Sequence, residues 1–229
     1  MLGLIRKPMV LALCGLAIPG AAMARNAKLP TASTSTVPHC IPLVGCNGAR
    51  TEADPAGQFT MTMRDLANNP IPDISVKIDF SACSDIHIAD QASQLGGPGV
   101  SAMTVDCVNH TISALTNANG VVTFRIIGSA SNDGGNQPGA GHGCAVVTGR
   151  YAYLGTVTVS AYNQDGSTGA TGVGGSDLSC WLGDFFAGVD RGRSDFDCSG
   201  GAPGGNDLSL WLGEFFSWNS ASGATAECR

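Results

Sequence analysis

The sequence predicts a mainly β protein, with a β-sandwich over residues 58–162 and a small α-helical module of two loop–helix units over residues 163–218. Two observations carry this prediction. Short segments of the first region alternate apolar and polar side chains with a period of two, which is typical of half-buried strands. Near the C-terminus a thirteen-residue motif occurs twice, with its apolar residues at helical spacing.

The N-terminal segment has the features of an export signal. Basic residues at positions 6 and 7 precede an apolar run, and Ala22-Met23-Ala24 matches a signal-peptidase cleavage pattern. We therefore predict a signal peptide over residues 1–24 and a secreted, extracellular or cell-surface protein. Lipidation at Cys14 remains an alternative, which the preceding leucine disfavours. No later apolar run reaches the ~18 residues that a membrane span requires.

The composition of residues 25–57, rich in Thr, Ser, Pro and Gly, predicts a flexible leader. Cleavage of the signal peptide leaves eight cysteines, an even number that favours disulfides in an exported protein. Spacing alone does not fix their pairing. We expect Cys83–Cys107 in the first region, Cys180–Cys198 in the second, and a small loop closed by Cys40 and Cys46.

Acidic residues are concentrated in the C-terminal part of the chain. From residue 160 onward the chain carries nine acidic and three basic residues, whereas residues 25–159 carry nine and seven. This concentration suits cation binding, with simple solubility as the alternative. No basic patch exists to meet phosphates, so we expect no nucleic-acid partner.

Five segments of the first region are predicted as strands: 58–64, 73–80, 100–106, 121–127 and 156–162. In the second of them Ile74, Val76 and Ile78 share one face of the strand. Turn residues separate the segments, as in Asn69-Pro70-Ile71-Pro72, where proline disfavours helix. The Gly-rich stretch over residues 128–143 is predicted as loop.

The order of these segments resembles bacterial immunoglobulin-like domains of the invasin/intimin type and the carboxypeptidase-regulatory-like sandwiches. The residues that carry the resemblance are Asp65, Asn69, Pro70, Pro72 and Val76, then Asn119, Gly120, Val122 and Phe124. The resemblance covers roughly residues 57–162. It implies an immunoglobulin-like sandwich that serves as a spacer or adhesion unit.

The repeated motif reads GGSDLSCWLGDFF over residues 174–186 and GGNDLSLWLGEFF over residues 204–216, with ten of thirteen positions identical. In each copy Leu, Trp, Leu and Phe recur at i, i+3, i+4 and i+7, which forms one helical face. We predict one helix per copy, opened by Asp177 and Asp207, with the aromatic faces packed together. Phe186, Phe216 and Trp218 flank these faces and are the candidates for exposure and partner contact. Residues 219–229 form a C-terminal tail.

Each helix follows a loop rich in oxygen-bearing side chains. The candidate ligands are Asn163, Asp165 and Asp177 in the first loop, and Asp195, Asp197, Ser199 and Asp207 in the second. Alternating oxygen ligands, a turn glycine and a later carboxylate are the ligand pattern of calcium loops. We expect the first site to be weaker, because Ala161 occupies the place of its first carboxylate. The alternative is that these residues only cap helices and form turns.

The repeat pair resembles the type I dockerin domain, an EF-hand-like module of two calcium-binding loop–helix units, over about residues 161–217. This resemblance implies Ca²⁺ as the bound ion and a cohesin-like protein as the partner.

These patterns predict a secreted, non-catalytic calcium-binding protein of extracellular protein assembly or cell-surface adhesion. The second hypothesis is an accessory carbohydrate-binding or docking component of an extracellular polysaccharide-degrading system. Before Tyr162 the sandwich contains only Tyr151 and Tyr153 and no Trp, which argues against a sugar platform. No nucleophile motif is present and the four His lie in predicted loops or edges, so we expect no catalytic residues.

Overall fold

The computed structural model describes residues 28–44, 57–94, 99–131, 141–166, 173–218 and 228. Over these residues the chain is mainly β, with ten strands followed by two α-helices. The predicted signal peptide lies outside the described residues, as does the tail apart from Cys228. No helix of the described part is long and apolar enough to cross a membrane.

The strands are β1 Cys40–Leu43, β2 Gln58–Thr62, β3 Ser75–Asp79, β4 Ile86–Ile88, β5 Met103–Asp106, β6 Thr111–Leu115, β7 Val121–Arg125, β8 Gly128–Ala130, β9 Ala145–Gly149 and β10 Ala152–Ala161. The helices are α1 Gly175–Ala187 and α2 Gly205–Trp218, with a short 3₁₀ helix, Gly192–Ser194, between them.

Six strands form one curled sheet in the order β1-β10-β9-β3-β6-β5, and β2 pairs with β7 and β4 with β8 in two further ladders. Strand β1 runs parallel to β10, and the other pairs are antiparallel. The mainly β class predicted from the sequence is confirmed. The immunoglobulin-like topology stays a prediction.

All five predicted strands overlap observed ones, but five more strands escaped prediction. Strand β8 begins inside the stretch predicted as Gly-rich loop. A β-carbon on Gly128 would lie 2.6 Å from the carbonyl oxygen of His87, across the β4–β8 ladder. Glycine therefore permits close backbone approach here and does not mark a loop.

The stretch predicted as a flexible leader contributes to the core. Ile41 and Leu43 of β1 are fully buried, and β1 is hydrogen-bonded along β10. Both side chains belong to one apolar cluster, which also includes side chains of the rest of the six-stranded sheet and of the β2–β7 and β4–β8 pairs. Residues 45–56 of the predicted leader lie outside the described part.

Three disulfides connect Cys40 to Cys198, Cys83 to Cys144 and Cys107 to Cys228. The predicted pairs Cys83–Cys107 and Cys180–Cys198 and the Cys40–Cys46 loop are therefore wrong. Pairing follows the spatial proximity of Cα atoms, which spacing along the chain does not give. Cys180 has no disulfide partner among the described residues.

Candidate metal centre

The two helices begin two residues earlier than predicted, so that Asp177 and Asp207 lie in the first turn. The carboxylate of Asp177 accepts a 2.6 Å hydrogen bond from the backbone N–H of Gly174. Asp207 accepts a matching bond of 2.7 Å from Gly204. Each aspartate thus satisfies a free amide at a helix N-terminus, where negative charge is also favoured by the helix dipole.

The same carboxylates bind back to the preceding loops. Asp207 Oδ1 accepts hydrogen bonds from the backbone N–H groups of Phe196, at 2.7 Å, and Asp197, at 3.0 Å. In the first unit Asp177 Oδ1 accepts from Gln164, at 2.5 Å, and Asp165, at 3.0 Å. Each loop is therefore fastened to its own helix by one buried carboxylate.

These matched contacts correct the alignment of the two loops. They pair Asp165 with Asp197 and therefore Asn163 with Asp195. Gly166 then matches Cys198, and both have positive φ values, 66° and 56°. Ala161, placed at the first ligand position from the sequence, is instead the buried last residue of β10. The first ligand position thus belongs to Asn163.

Three predicted ligands of the second loop come together. Asp195, Asp197 and Asp207 each place a carboxylate oxygen within 4.8 Å of the other two. Ca²⁺ binds oxygens at about 2.3–2.6 Å, so oxygens on opposite sides of one ion are separated by about 5 Å. One ion can therefore contact all three carboxylates. Ser199, the fourth predicted ligand, lies in the same turn, and its backbone N–H donates to Asp195 and Asp197 at 3.0 and 2.9 Å.

No basic side chain of the described residues balances the charges of this cluster. Burial raises the pKa of Asp195, and the neighbouring Asp207 charge adds to the rise. The Ser199 hydrogen bond lowers the pKa of Asp197. Among the described residues no Lys or Arg lies within ion-pair distance of the three aspartates. Hard oxygen donors with uncompensated negative charge are the ligand set that a divalent cation such as Ca²⁺ prefers.

The amide hydrogen bonds to these carboxylates do not exclude a metal. A carboxylate offers about four lone-pair sites, and Asp197 uses one of its oxygens for the loop amide of Ser199. Turn formation and cation binding are thus compatible functions of the same residues. Among the described residues, Asp195, Asp197 and Asp207 are the group of carboxylate, His or Cys side chains whose ligand atoms lie close enough together to share one metal ion.

The first loop has fewer charges. Asn163 is buried, Asp165 is half-buried, and Asp177 is 1 % exposed. Burial raises the pKa of Asp177 to about 6, and the charge of Asp165 adds to the rise. With two carboxylates and an amide, this loop offers less negative charge to a cation than the second. Residues 167–172, which complete it, lie outside the described part.

The predicted packing of the two aromatic faces is confirmed for their tryptophans and leucines, whereas Phe185 of the first face is 41 % exposed. Trp181 and Trp211 are buried, each stacked 5.2 Å from a phenylalanine of its own helix. Tyr162 at the end of β10 stacks on Phe196 at 4.7 Å and belongs to the same cluster. This small core holds both loops beside both helices.

The predicted exposure of the flanking phenylalanines is confirmed. Phe186 is 80 % exposed and Phe216 is 71 % exposed, at equivalent positions of the repeat. The side chain of Trp218 lies outside the described part.

A buried acid–base network escaped prediction. Asp184 of α1 binds the guanidinium groups of Arg191 and Arg193 and accepts a 2.5 Å hydrogen bond from Ser194 Oγ. All four residues are at most 7 % exposed. The sequence contains one sign of this network. Asp184 lies between Trp181 and Phe185 of the apolar helix face, where a solvated acid would interrupt the apolar pattern.

The equivalent acid of the second repeat, Glu214, lies near a basic residue of the region of strands β1–β10, called here the β part. Glu214 is 3 % exposed. Burial lowers the pKa of Arg125 in β7, and the nearby charge of Glu214 partly opposes this shift. The buried acid of α1 is therefore paired with two arginines of the C-terminal repeat module, whereas the buried acid of α2 lies near an arginine of the β-strand region.

Further contacts fix the module to the β part. The Cys40–Cys198 disulfide joins β1 to the turn between Asp197 and Ser199. The His39 ring nitrogen Nε2 lies 2.7 Å from the carbonyl oxygen of Cys198. A β-carbon on Gly192 would lie 2.4 Å from Thr158 Cγ2 of β10, so the 3₁₀ helix packs directly on the sheet.

Comparison of the chain with protein-family models, with curated proteins and with solved structures finds no match.

Proposed function

We propose that this chain is an exported, non-catalytic calcium-binding protein that acts in extracellular protein assembly or cell-surface adhesion. In this proposal the second loop binds Ca²⁺ through Asp195, Asp197 and Asp207, with Ser199 beside them. The first loop binds more weakly through Asn163, Asp165 and Asp177. The carrying observation is the group of three aspartates whose oxygens lie within 4.8 Å of one another.

The connections of the second loop support a clamp. Asp207 joins the loop to α2, and the Cys40–Cys198 disulfide joins it to β1. An ion held between these points would set the angle between helix and sheet, because metal binding fixes its ligands relative to one another. The dockerin-like repeats thus serve first to hold their own chain in shape.

The partner surface in this proposal is the pair of exposed phenyl rings. Phe186 and Phe216 occupy the same position of both repeats, and each contacts the preceding phenylalanine edge-on at 5.4 Å. Exposed aromatic residues at matched positions favour a protein partner of cohesin-like or cell-surface type. The three disulfides are compatible with such an extracellular setting.

Thermal unfolding of the chain from residue 25 onward tests the calcium clamp. Calcium at about 100 times its Kd adds ~2.7 kcal/mol of stability, which raises the Tm, and Mg²⁺ at equal concentration should add less. Most of the calcium-induced shift should be lost in Asp207→Asn and Asp197→Asn, and only the smaller part from the weaker first loop should remain. The shift is compared within each variant, because Asp207→Asn also removes a helix cap.

Asp106→Asn is the matched control. Asp106 lies in β5, where it accepts hydrogen bonds from the β5–β6 turn without belonging to the cluster. Its variant should keep the full calcium shift. An unchanged Tm of the wild-type chain in calcium and in chelator would show that the aspartates only form caps and turns.

A further inference from the structure

A wide groove lies on the β part of the chain. Its volume is about 1100 Å³, and residues of β3, the end of β6 and the β9–β10 turn line it. Buried Ile71 and Ile74 contribute apolar surface to the lining. This volume slightly exceeds the ~300–1,000 Å³ of typical small-molecule sites, so the groove suits a ligand of several linked units better than a single ion.

The rim of the groove is a strained turn. Arg150 and Tyr151 connect β9 to β10 with φ values of 52° and 103°. Two-residue hairpin turns with positive φ normally use Asn and Gly, because a side chain is strained there. Bulky residues in such a turn indicate a function that outweighs the strain. Tyr151 is 98 % exposed, so its ring is free to contact a ligand.

A row of polar side chains continues from the groove across the outer face of the sheet. The strand register places Tyr153 beside Thr148, Thr148 beside Lys77, Lys77 beside Ser113 and Ser113 beside Thr104. Neighbouring strands lie about 4.8 Å apart, which is close to the length of one pyranose unit. The row therefore offers one hydrogen-bonding group per sugar, with a 62 % exposed tyrosine at one end.

One cation of the groove is available to an acidic ligand. The lining includes three cations and one acid: Lys28, Lys77, Arg150 and Asp73. Each lysine lies within 4 Å of a carboxylate, 3.7 Å from Asp65 and 3.5 Å from Asp79. Arg150 forms no ion pair with the described residues. A guanidinium group binds a carboxylate with two parallel hydrogen bonds, which an ammonium group cannot do.

We propose that this groove and the polar row beside it, together named here the tyrosine groove after Tyr151 and Tyr153, bind an acidic polysaccharide. Arg150 holds a uronate carboxylate, and the polar row binds sugar hydroxyls. Two tyrosines without a tryptophan do not form the planar aromatic platform considered from the sequence, so their rings supply single stacking contacts, beside Arg150 and at the end of the row. An extended peptide that adds to a sheet runs along an edge strand, whereas the row runs across the strands from β10 to β5. The net charge of −6 opposes the denser charge of nucleic acid.

Titration calorimetry with a short oligogalacturonate tests this proposal on calcium-loaded protein freed of excess ion. A neutral galacto-oligosaccharide of equal length is the ligand control. Arg150→Gln should weaken binding of the acidic sugar about tenfold, equal to ~1.4 kcal/mol. Tyr151→Asn should weaken it by a similar factor, and Asn tolerates the positive φ of this position.

Two variants control for surface changes elsewhere. Arg64→Gln removes a cation outside the groove, and Val108→Asn removes an 88 % exposed apolar side chain. Both should bind the acidic sugar as the wild type does, and all four variants should keep the wild-type circular dichroism. Asp207→Asn should also keep sugar binding. A failure of the polysaccharide proposal can therefore be distinguished from a failure of the calcium clamp.

Three outcomes would overturn the proposal. The first is the absence of binding by the wild-type chain. The second is equal affinity for the acidic and the neutral oligosaccharide. The third is unchanged affinity in both Arg150→Gln and Tyr151→Asn.

Discussion

Single carboxylates connect each loop to its helix. Asp177 and Asp207 are almost fully buried, and each accepts hydrogen bonds from both the loop and the helix N-terminus. A buried carboxylate is stable only where donors or cations surround it. In the second loop Asp195 and Asp197 bring two more negative charges close, and a cation would balance them. Because of this difference in charge, we expect the second loop to bind a cation more tightly than the first.

Asp184 provides a prediction at the residue scale. Asp184→Asn leaves Arg191 and Arg193 buried without their carboxylate. Breaking a buried ion pair in this way lowers the free energy of unfolding by about 3–5 kcal/mol. Urea unfolding of the calcium-loaded chain measures the loss.

Asp190→Asn is the control for this change. Asp190 contacts His142 at 2.9 Å but its side chain is 47 % exposed, so its loss should lower the free energy of unfolding by less than about 1 kcal/mol. Equal losses in the two variants would contradict the structural importance assigned to the buried network.

The glycines of the module give a second pair of changes. Gly192→Ala places a β-carbon 2.4 Å from Thr158 Cγ2, so it should lower the Tm by forcing the 3₁₀ helix away from β10. Gly213→Ala lies within α2 and meets nothing within 4 Å. It should stabilise the chain by about 0.5–1 kcal/mol, since glycine weakens a helix interior. A destabilised Gly213→Ala, measured by thermal unfolding, would show that α2 is packed differently.

At the scale of the elements, the Cys40–Cys198 disulfide bears on metal affinity. Replacing both cysteines with serine releases β1 from the turn that carries Asp197 and Ser199. The ligands then lose part of their preorganisation, and we expect calcium affinity to fall about tenfold, or ~1.4 kcal/mol.

Removal of the Cys83–Cys144 disulfide is the matched comparison. It lies in the β part, so its loss should lower the Tm while calcium affinity stays the same. Affinity that falls equally in both double variants, measured by calorimetry, would mean that the disulfides act only on global stability.

The elements with a clear repeat of apolar residues could be predicted from the sequence. The elements that depend on which segments lie side by side in the fold could not. The alternation in β3 and the repeated aromatic faces of α1 and α2 are local patterns, so sequence alone located them. Strand β8 and the disulfides depend on which segments become neighbours, which no local pattern records. The three clustered aspartates are among the ligands predicted from the sequence. The loop alignment was two residues out, because it relied on spacing and not on the contacts of Asp177 and Asp207.

On the scale of the whole molecule, the N- and C-terminal parts are joined through the sheet region. Cys40 of β1 reaches the second loop, and Cys228 binds Cys107 after β5. Arg125 of β7 and Glu214 of α2 bring opposite buried charges near each other at the same junction. The repeat module is thus fastened to the β part at several points, and the tyrosine groove is lined by the β part alone.

Calcium titration calorimetry of the chain from residue 25 onward measures how many calcium ions bind and how tightly. We expect one tight calcium site per wild-type chain, a weaker second binding event, and loss of the tight site in Asp197→Asn. Loss of the tight site in Asp165→Asn instead, or the same binding heat in the wild type and Asp197→Asn, would contradict the assignment of calcium to the second loop.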